Sequence, residues 1–343
     1  MIYHLSDIDL DGYSCQFAVS LAYPRARFYN APYGKAFHEA FFLIIDEIAR
    51  RQAEGNCEEN IIVLSDSSPS EAYCKEFEEA VKTDVQNTKL LLLDHHASGT
   101  HAGSFPWFYL DVKRSAGKIT ADFVQEMTQK PFKPCVQEFF RAVNAADIWL
   151  KEDSLFEFGK VAQSMVAGAK EVNRVMFGKK HWDYMFYLLQ KACDLVSVDD
   201  AHIRLDSTLH EIKKSYFRKD KDDTLSNLVS SYVVDLLCQM ADALSINWRG
   251  KKGILTSNIG VVSVIGNDFL VAKPDFDFFI DVTSRKSVSL RANGNCDVNH
   301  MANVLFGGGG HVNASGGSFA SFKDSANYKD IKTQFEHLLR SKE

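Results

Sequence analysis

The stretch Lys89-Leu90-Leu91-Leu92-Leu93-Asp94-His95-His96 decides the fold. A solid apolar run of this length reads as a buried strand, and an acid and two imidazoles just past its C-terminal end lie where open α/β sheets bind their ligands. Three other acidic sites occupy comparable positions. Asp7, Asp9 and Asp11 follow a strand-like run at 2–6, Asp66 follows Ile61-Ile62-Val63-Leu64, and Asp147 ends an amphipathic run that begins at Cys135. Five aspartates and a histidine from four separated segments make the ligand count of a two-metal site.

The segments around these residues alternate. Strand-like runs at 2–6, 26–29, 61–64 and 89–93 are separated by helical runs at 12–22, 35–53 and 70–83, the pattern of a parallel sheet. Helical periodicity takes over from 115 to about 246, with no convincing strand. The charged stretch 199–223 reads as an exposed connector helix. Strand-like runs return at 253–256, 260–265, 269–272, 276–281 and 287–291, followed by a helix at 297–306, a glycine cluster and a last helix at 324–339. The expected fold class is therefore α/β: an N-terminal parallel-sheet domain over 1–195, a helical connector over 196–248 and a smaller C-terminal α/β domain over 249–343.

Composition narrows the partners. At 343 residues the chain is about twice the usual domain size, so two cores are expected. A net charge of −6 argues against a long duplex as the main partner, because neutralising many phosphates needs a basic surface. Cys15, Cys57, Cys74, Cys135, Cys193, Cys238 and Cys296 include no Cys-x-x-Cys pair, and their odd number does not suit a disulfide framework. Cytoplasmic location is expected, since no stretch approaches a membrane span and Met1 leads directly into strand-like sequence. No stable protein partner is implied; a homodimer is compatible.

Taken in order, Asp7-Ile8-Asp9-Leu10-Asp11-Gly12, Asp66, Asp94-His95-His96, Asn144-Ala145-Ala146-Asp147 and Gly307-Gly308-Gly309-Gly310-His311-Val312-Asn313-Ala314-Ser315-Gly316 resemble the DHH phosphoesterase family with its associated C-terminal domain. The resemblance covers nearly the whole chain apart from the connector, and the ordered set is specific where each motif alone is weak. It implies hydrolysis of phosphodiesters by two divalent ions, which together acidify a water and neutralise phosphate oxygens at a spacing of roughly 3.5 to 4 Å. It places Asp7, Asp9 and Asp66 on one ion and Asp11, Asp66, His95 and Asp147 on the other, with Asp66 bridging. Carboxylates suit Mg²⁺, and the imidazole of His95 tilts the set toward Mn²⁺. Asp94 then fixes a histidine tautomer from behind, and His96 faces the phosphate.

The family often carries histidine four or two residues before its Asp-x-Asp pair, whereas Leu5 and Asp7 stand there in this chain and His4 lies five before. Side chains alternate along a strand, so Asp7 and Asp9 share a face that His4 does not, and Asp7 is read as the ligand. An aspartate at that place also occurs in the RecJ-type single-strand exonucleases. The length is nearer that of the smaller oligonucleotide-degrading members.

The C-terminal motif is expected to hold substrate. Gly308, Gly309 and Gly310 allow close approach of backbone to ligand and offer amides to an anion, with His311 beside them. Arg291 matches a family arginine that grips phosphate bidentately. The two domains are expected to form a cleft. Lys113, Arg114, Ser115 and Lys118 at a helix start are a weaker phosphate signal, and Lys113, Arg114 and Lys118 are better read as a solvated face. His181, His202 and His210 have no carboxylate at ligand spacing and read as structural or exposed. The aromatic clusters Phe37-Phe41-Phe42 and Phe132-Phe139-Phe140 read as core.

The expected function is Mn²⁺-dependent hydrolysis of short single-stranded oligonucleotides to mononucleotides, with Asp66, His95 and His96 at the reacting centre. A longer-strand exonuclease, a hydrolase of cyclic dinucleotides or of 3′-phosphoadenosine 5′-phosphate, and an inactive nucleotide-binding regulator are the alternatives.

Overall fold

A computed structural model describes residues 1–342. The chain divides into two compact units, Met1–Ala169 with Trp182–Ile212, and Lys170–His181 with Lys213–Glu343. The stretch 196–248 thus contributes its first part to one unit and its second part to the other.

The first unit opens β1(Ile2–Ser6), α1(Leu10–Ala22), β2(Arg27–Asn30), α2(Lys35–Ala53), β3(Asn60–Ser65), α3(Glu71–Thr83), β4(Thr88–Asp94) and β5(Phe108–Leu110). The strands pair in the order β2-β1-β3-β4-β5, all parallel. Parallel strands are covered on both faces, which is why β3 and β4 are nearly continuous Ile, Val and Leu. Helix α2 buries Phe37, Phe41, Ile44, Ile45 and Ile48, a stripe at helical spacing, and Phe41 stacks on Phe77 of α3 with centroids 4.0 Å apart. Helix α1 is buried along Leu10–Val19 and so carries Cys15, Phe17 and Ala18 rather than a polar face. Next come α4(Ala116–Thr128), α5(Pro134–Asp147), α6(Phe156–Ala167), α7(Gly178–Leu195) and α8(Ala201–Phe217), whose end passes into the second unit, followed by α9(Leu225–Leu244), which belongs to the second unit.

The second unit contains β6(Ser245–Trp248), β7(Lys251–Ser257), α10(Val262–Ala272), β8(Phe278–Val282), β9(Ser287–Ala292), α11(Val298–Phe306), β10(Gly309–His311), β11(Ala314–Ser318) and α12(Tyr328–Arg340). Its mixed sheet runs β10-β11-β9-β8-β7-β6 over a core of Leu255, Phe278, Ile280, Leu290, Met301 and Phe335.

Two expected strands, 260–265 and 269–272, are one helix, α10. The valine-rich run has β character, but Ile265, Gly266, Phe269 and Leu270 are buried at i, i+1, i+4 and i+5, which only a helix presents together, while Val261 and Val271 are exposed. Strands β5, β6, β10 and β11 were not expected. The last pair is glycine-rich because Cβ atoms do not fit: one on Gly310 would lie 2.7 Å from the carbonyl of Ala314. Among the described residues no helix is long and apolar enough to cross a membrane.

Candidate metal centre at the C-terminal sheet edge

The sheet delivers its acids at neighbouring strand ends. Asp66 follows β3 with φ 52°, a left-handed conformation that aspartate tolerates better than most residues, and its amide donates to the carbonyl of Leu93 at 3.2 Å. That bond ties the end of β3 to β4. Beyond β1, the Oδ1 of Asp7 accepts from the amide of Ile8 at 2.6 Å, and Asp9 caps α1 by accepting from Gly12 at 3.0 Å. A Cβ on Gly12 would lie 2.6 Å from the carbonyl of Asp7, so the turn into α1 requires glycine. The Nδ2 of Asn30 holds the same carbonyl at 2.7 Å.

Asp11 sits buried in the first turn of α1, and its Oδ1 accepts from the amide of Gly117 at 3.0 Å. Ser115, which also hydrogen-bonds Asp11, caps α4 and its amide donates to Oδ1 of Asn144 at 2.8 Å. Asn144 lies one turn before Asp147, the last residue of α5. The Asn-Ala-Ala-Asp motif therefore anchors one helix to another with its first residue and presents a carboxylate with its last.

His95 gathers these acids. Its Nε2 lies 3.4 Å from Asp66 Oδ1, 3.5 Å from Asp147 Oδ2 and 3.9 Å from Asp11 Oδ2. Asp94 is fully buried and its Oδ1 meets Nδ1 of His96 at 2.7 Å. Two groups of three have donor atoms within 4.8 Å of one another: Asp66, His95 and His96, and Asp11, His95 and Asp147. His95 is the shared member, where the resemblance had Asp66 bridging. Asp7 and Asp9 lie outside both groups, and Asp9 is exposed.

The electrostatics call for a cation. Burial first, then Asp147 and Asp9, hold the carboxyl of Asp11 well above the usual range; burial and then Asp11, Asp9, Asp147 and Asp7 do the same to Asp66. Burial, with Asp9 behind it, pushes Asp147 up to about 6. Among the described residues no lysine or arginine pairs with Asp11, Asp66 or Asp147, and one Oδ2 on each is buried without a hydrogen-bond partner. Unpaired buried carboxylates are costly unless they coordinate metals. Burial lowers the pKa of His95, keeping an imidazole lone pair available, whereas the hydrogen bond to Asp94 raises that of His96. Carboxylate oxygens with imidazole nitrogen fit Mn²⁺, Fe²⁺, Mg²⁺ or Zn²⁺.

A buried polar layer behind the acids was not anticipated. The Nε2 of His4 meets Ser65 Oγ at 2.8 Å, and Ser6 Oγ meets the same oxygen at 2.8 Å. Burial drops the pKa of His4 to about 3, so it is neutral. The signal was present as Ser6-Asp7 and Ser65-Asp66, a small hydroxyl before the acid at two parallel strand ends. Arg114 is bound to Asp111 and Asp122, and Lys118 to Asp122, so both are engaged in half-buried ion pairs.

In the second unit, Arg291 closes on its own neighbourhood, Nη2 donating to Ser263 Oγ at 2.9 Å and Nη1 to the carbonyl of Leu290 at 2.8 Å. His311 is exposed on β10, paired with Ala314. The amides of Gly308 and Gly310 donate to the carbonyl of Ala302 at 3.1 Å and to Oδ1 of Asn299 at 2.9 Å. Of the four glycines, Gly308 and Gly310 are needed for close packing against β11.

An open parallel sheet with clustered carboxylates and imidazoles at its C-terminal edge makes this an α/β protein with a candidate divalent-metal centre. No family model matches the chain. It is 36% identical over 348 residues to a 3′,5′-cyclic-nucleotide phosphodiesterase of Helicobacter pylori, covering 99% of each protein. It is 24% identical over 329 residues to the oligoribonuclease NrnB of Bacillus subtilis, covering 92% of this chain and 72% of that one. The crystal structure of an uncharacterised protein from Helicobacter pylori G27 superposes with a TM-score of 0.91 at 35% identity over 99% of both chains. The chain belongs to the DHH phosphoesterase family, a family of phosphoester hydrolases.

Proposed function

We propose that the chain is a metal-dependent phosphodiesterase that cleaves short single-stranded oligonucleotides to mononucleotides. The observation that carries this reading is the convergence of Asp11, Asp66 and Asp147 on the single Nε2 of His95, with a buried and unpartnered oxygen on each acid. Asp66, Asp11, His95 and Asp147, with Asp7 and Asp9 at the rim, would hold two divalent ions, most favourably Mn²⁺ with Mg²⁺ as the alternative. Such ions, when bound, supply an acidified water and neutralise the oxygens of the scissile phosphate.

The chain's own groups do the rest. Asp94 fixes Nδ1 of His96, which leaves the other ring nitrogen to hydrogen-bond a non-bridging or leaving oxygen. In its protonated form, favoured by Asp94, His96 can hand a proton to the departing oxygen. In this reading residues 1–195 form the catalytic domain, 196–248 the connector and 249–343 the substrate-holding domain, where Arg291 and His311 grip phosphate or base and Gly308 to Gly310, two of whose amides are already bonded within the chain, leave room for it. The 36% identical cyclic-nucleotide phosphodiesterase favours a second reading in which the scissile diester is a cyclic 3′,5′-nucleotide.

Metal-stripped protein assayed with pApA and with 3′,5′-cyclic AMP, with and without added Mn²⁺ or Mg²⁺, tests both. Metal-restored cleavage of pApA to AMP is expected. Turnover confined to the cyclic substrate would favour the second reading, and no hydrolysis of either would overturn both.

A further inference from the structure

Trp149 occupies a backbone position that disfavours it and a surface position that scarcely uses it. Helix α5 ends at Asp147, and the amide of Leu150 reaches back to the carbonyl of Ala145 at 2.7 Å, closing a wide C-terminal turn. The residue inside such a turn is left-handed and usually glycine. Trp149 takes it with φ 61°, a conformation costly for any L-residue and more so for a bulky one. Burial does not repay that cost, because the residue is 59% exposed. Its indole meets Phe156 edge-on at 5.1 Å, and Lys151 Nζ stands 5.5 Å from the ring centre.

Location gives the residue a use. Trp149 is two residues from Asp147, whose Oδ2 lies 3.5 Å from His95. Two residues span at most about 7 Å, so an indole there is within a nucleoside's length of a phosphate held at the acids. Strained backbone positions cluster at ligand-binding sites, and Trp149 is the bulkiest of the residues that take a positive φ here. We propose that Trp149 is the stacking platform for a nucleobase of the bound substrate, with the Lys151 ammonium adding positive charge beside the ring and its attached phosphate. The proposal rests on the nucleotide reading above and names where the base goes.

Calorimetric titration of Mn²⁺-loaded protein with AMP and with ribose 5-phosphate tests it without turnover. Trp149→Phe should keep AMP affinity within about twofold, while Trp149→Leu and Trp149→Gly should weaken it roughly fivefold to a hundredfold, the range of one base–aromatic stack. Ribose 5-phosphate should bind all variants alike. Trp149→Gly should also raise the melting temperature, since glycine is at ease in the turn. Wild-type AMP affinity in Trp149→Leu would overturn the platform alone. A parallel loss of ribose 5-phosphate would show that position 149 acts through Asp147 and would overturn it too. Failure of AMP to bind the wild type at millimolar concentration would sink the nucleotide reading together with the platform.

Discussion

The main-chain N–H of Gly117 donates to Oδ1 of Asp11 at 3.0 Å, joining the first turns of two helices across 106 residues of chain. The bond fixes the carboxylate's orientation and places it at the positive end of α4, which favours the charged form against the burial that opposes it. With Oδ1 held, Oδ2 is the oxygen directed at His95. Helix α4 thus sets the aim of an acid that belongs to α1.

Gly117→Ala should therefore impair catalysis without unfolding the protein. The added Cβ would lie 2.8 Å from Asp11 Oδ1, so the carboxylate must move or lose its amide. Disturbing a group that orients a metal ligand typically costs about 10-fold to 100-fold in activity or metal affinity. Steady-state kinetics and metal titration of the variant measure this; wild-type values in both would show that the orientation of Asp11 does not matter.

The expected fold was legible where burial is one-sided or complete. Strands β3 and β4 read correctly because parallel strands are nearly continuous apolar runs, and α2 because its phenylalanines and isoleucines repeat at helical spacing. Helix α10 misled because the exposed Val261 and Val271 flank its buried pairs and lengthen the apolar runs on either side of Asn267 and Asp268, which then read as two short strands. Strand β11 was silent because Gly316 and Gly317 lack the side chains from which strands are recognised. The acids and His95 were legible from position alone, each at a strand or helix end. The supporting set of Ser65, Ser115, Asn144 and Gly117 was not, because it works through single bonds between segments far apart in sequence.

Asp66→Ala and His95→Ala should abolish turnover while the fold survives. Asp66 is a buried acid that meets only the imidazole of His95, so its removal relieves an unfavourable desolvated group in metal-free protein. Added Mn²⁺ should raise the melting temperature of the wild type, because a ligand that binds only the native state stabilises it, and should raise that of Asp66→Ala much less. Near wild-type turnover of either variant in excess metal would sink the two-ion assignment.

A pH dependence is expected from the second unit. Asp281 is buried, accepts from Thr256 Oγ1 at 2.8 Å and from the amide of Ile259 at 3.2 Å, and burial pushes its pKa from 3.8 up to about 7. A carboxyl raised in the folded state binds a proton more tightly there than in the unfolded chain. Its contribution is complete below about pH 4 and is lost as pH rises toward 7. Replacing it by Asn should flatten that part of the stability profile, measured by denaturant unfolding between pH 4.5 and 8. Identical slopes in the two proteins would exclude Asp281 as the source.

His4 and Asp7 should separate structure from chemistry. His4 is fully buried with Nε2 on Ser65, so His4→Ala opens a cavity and should cost roughly 2 to 4 kcal/mol of stability while leaving metal affinity near wild type. Asp7→Ala should do the reverse, losing metal and turnover with little change in unfolding. Asp7→His should keep measurable activity with an altered metal preference, since it exchanges a hard oxygen for a softer nitrogen. Metal loss on His4→Ala with Asp7→Ala unaffected would show that the strand-parity argument picked the wrong residue.

Substrate length is the last test, and it joins the charge balance to the second unit. A chain of net charge −6 offers no evident basic track, and its expected phosphate grips are concentrated at Arg291 and His311. Arg291 is already held by Ser263 at 2.9 Å, so its guanidinium is pre-positioned and would meet a phosphate without being reordered. One firmly held terminal phosphate suits short substrates, and kcat/KM should fall as single strands lengthen from two nucleotides to beyond about five. Arg291→Ala should raise KM far more than it lowers kcat, because binding shared by ground and transition states is what it removes. A length ladder of 5′-phosphorylated oligonucleotides assayed on both proteins measures this. Efficient, processive degradation of a long strand would instead place the enzyme with the single-strand exonucleases and require a track that the charge balance does not reveal.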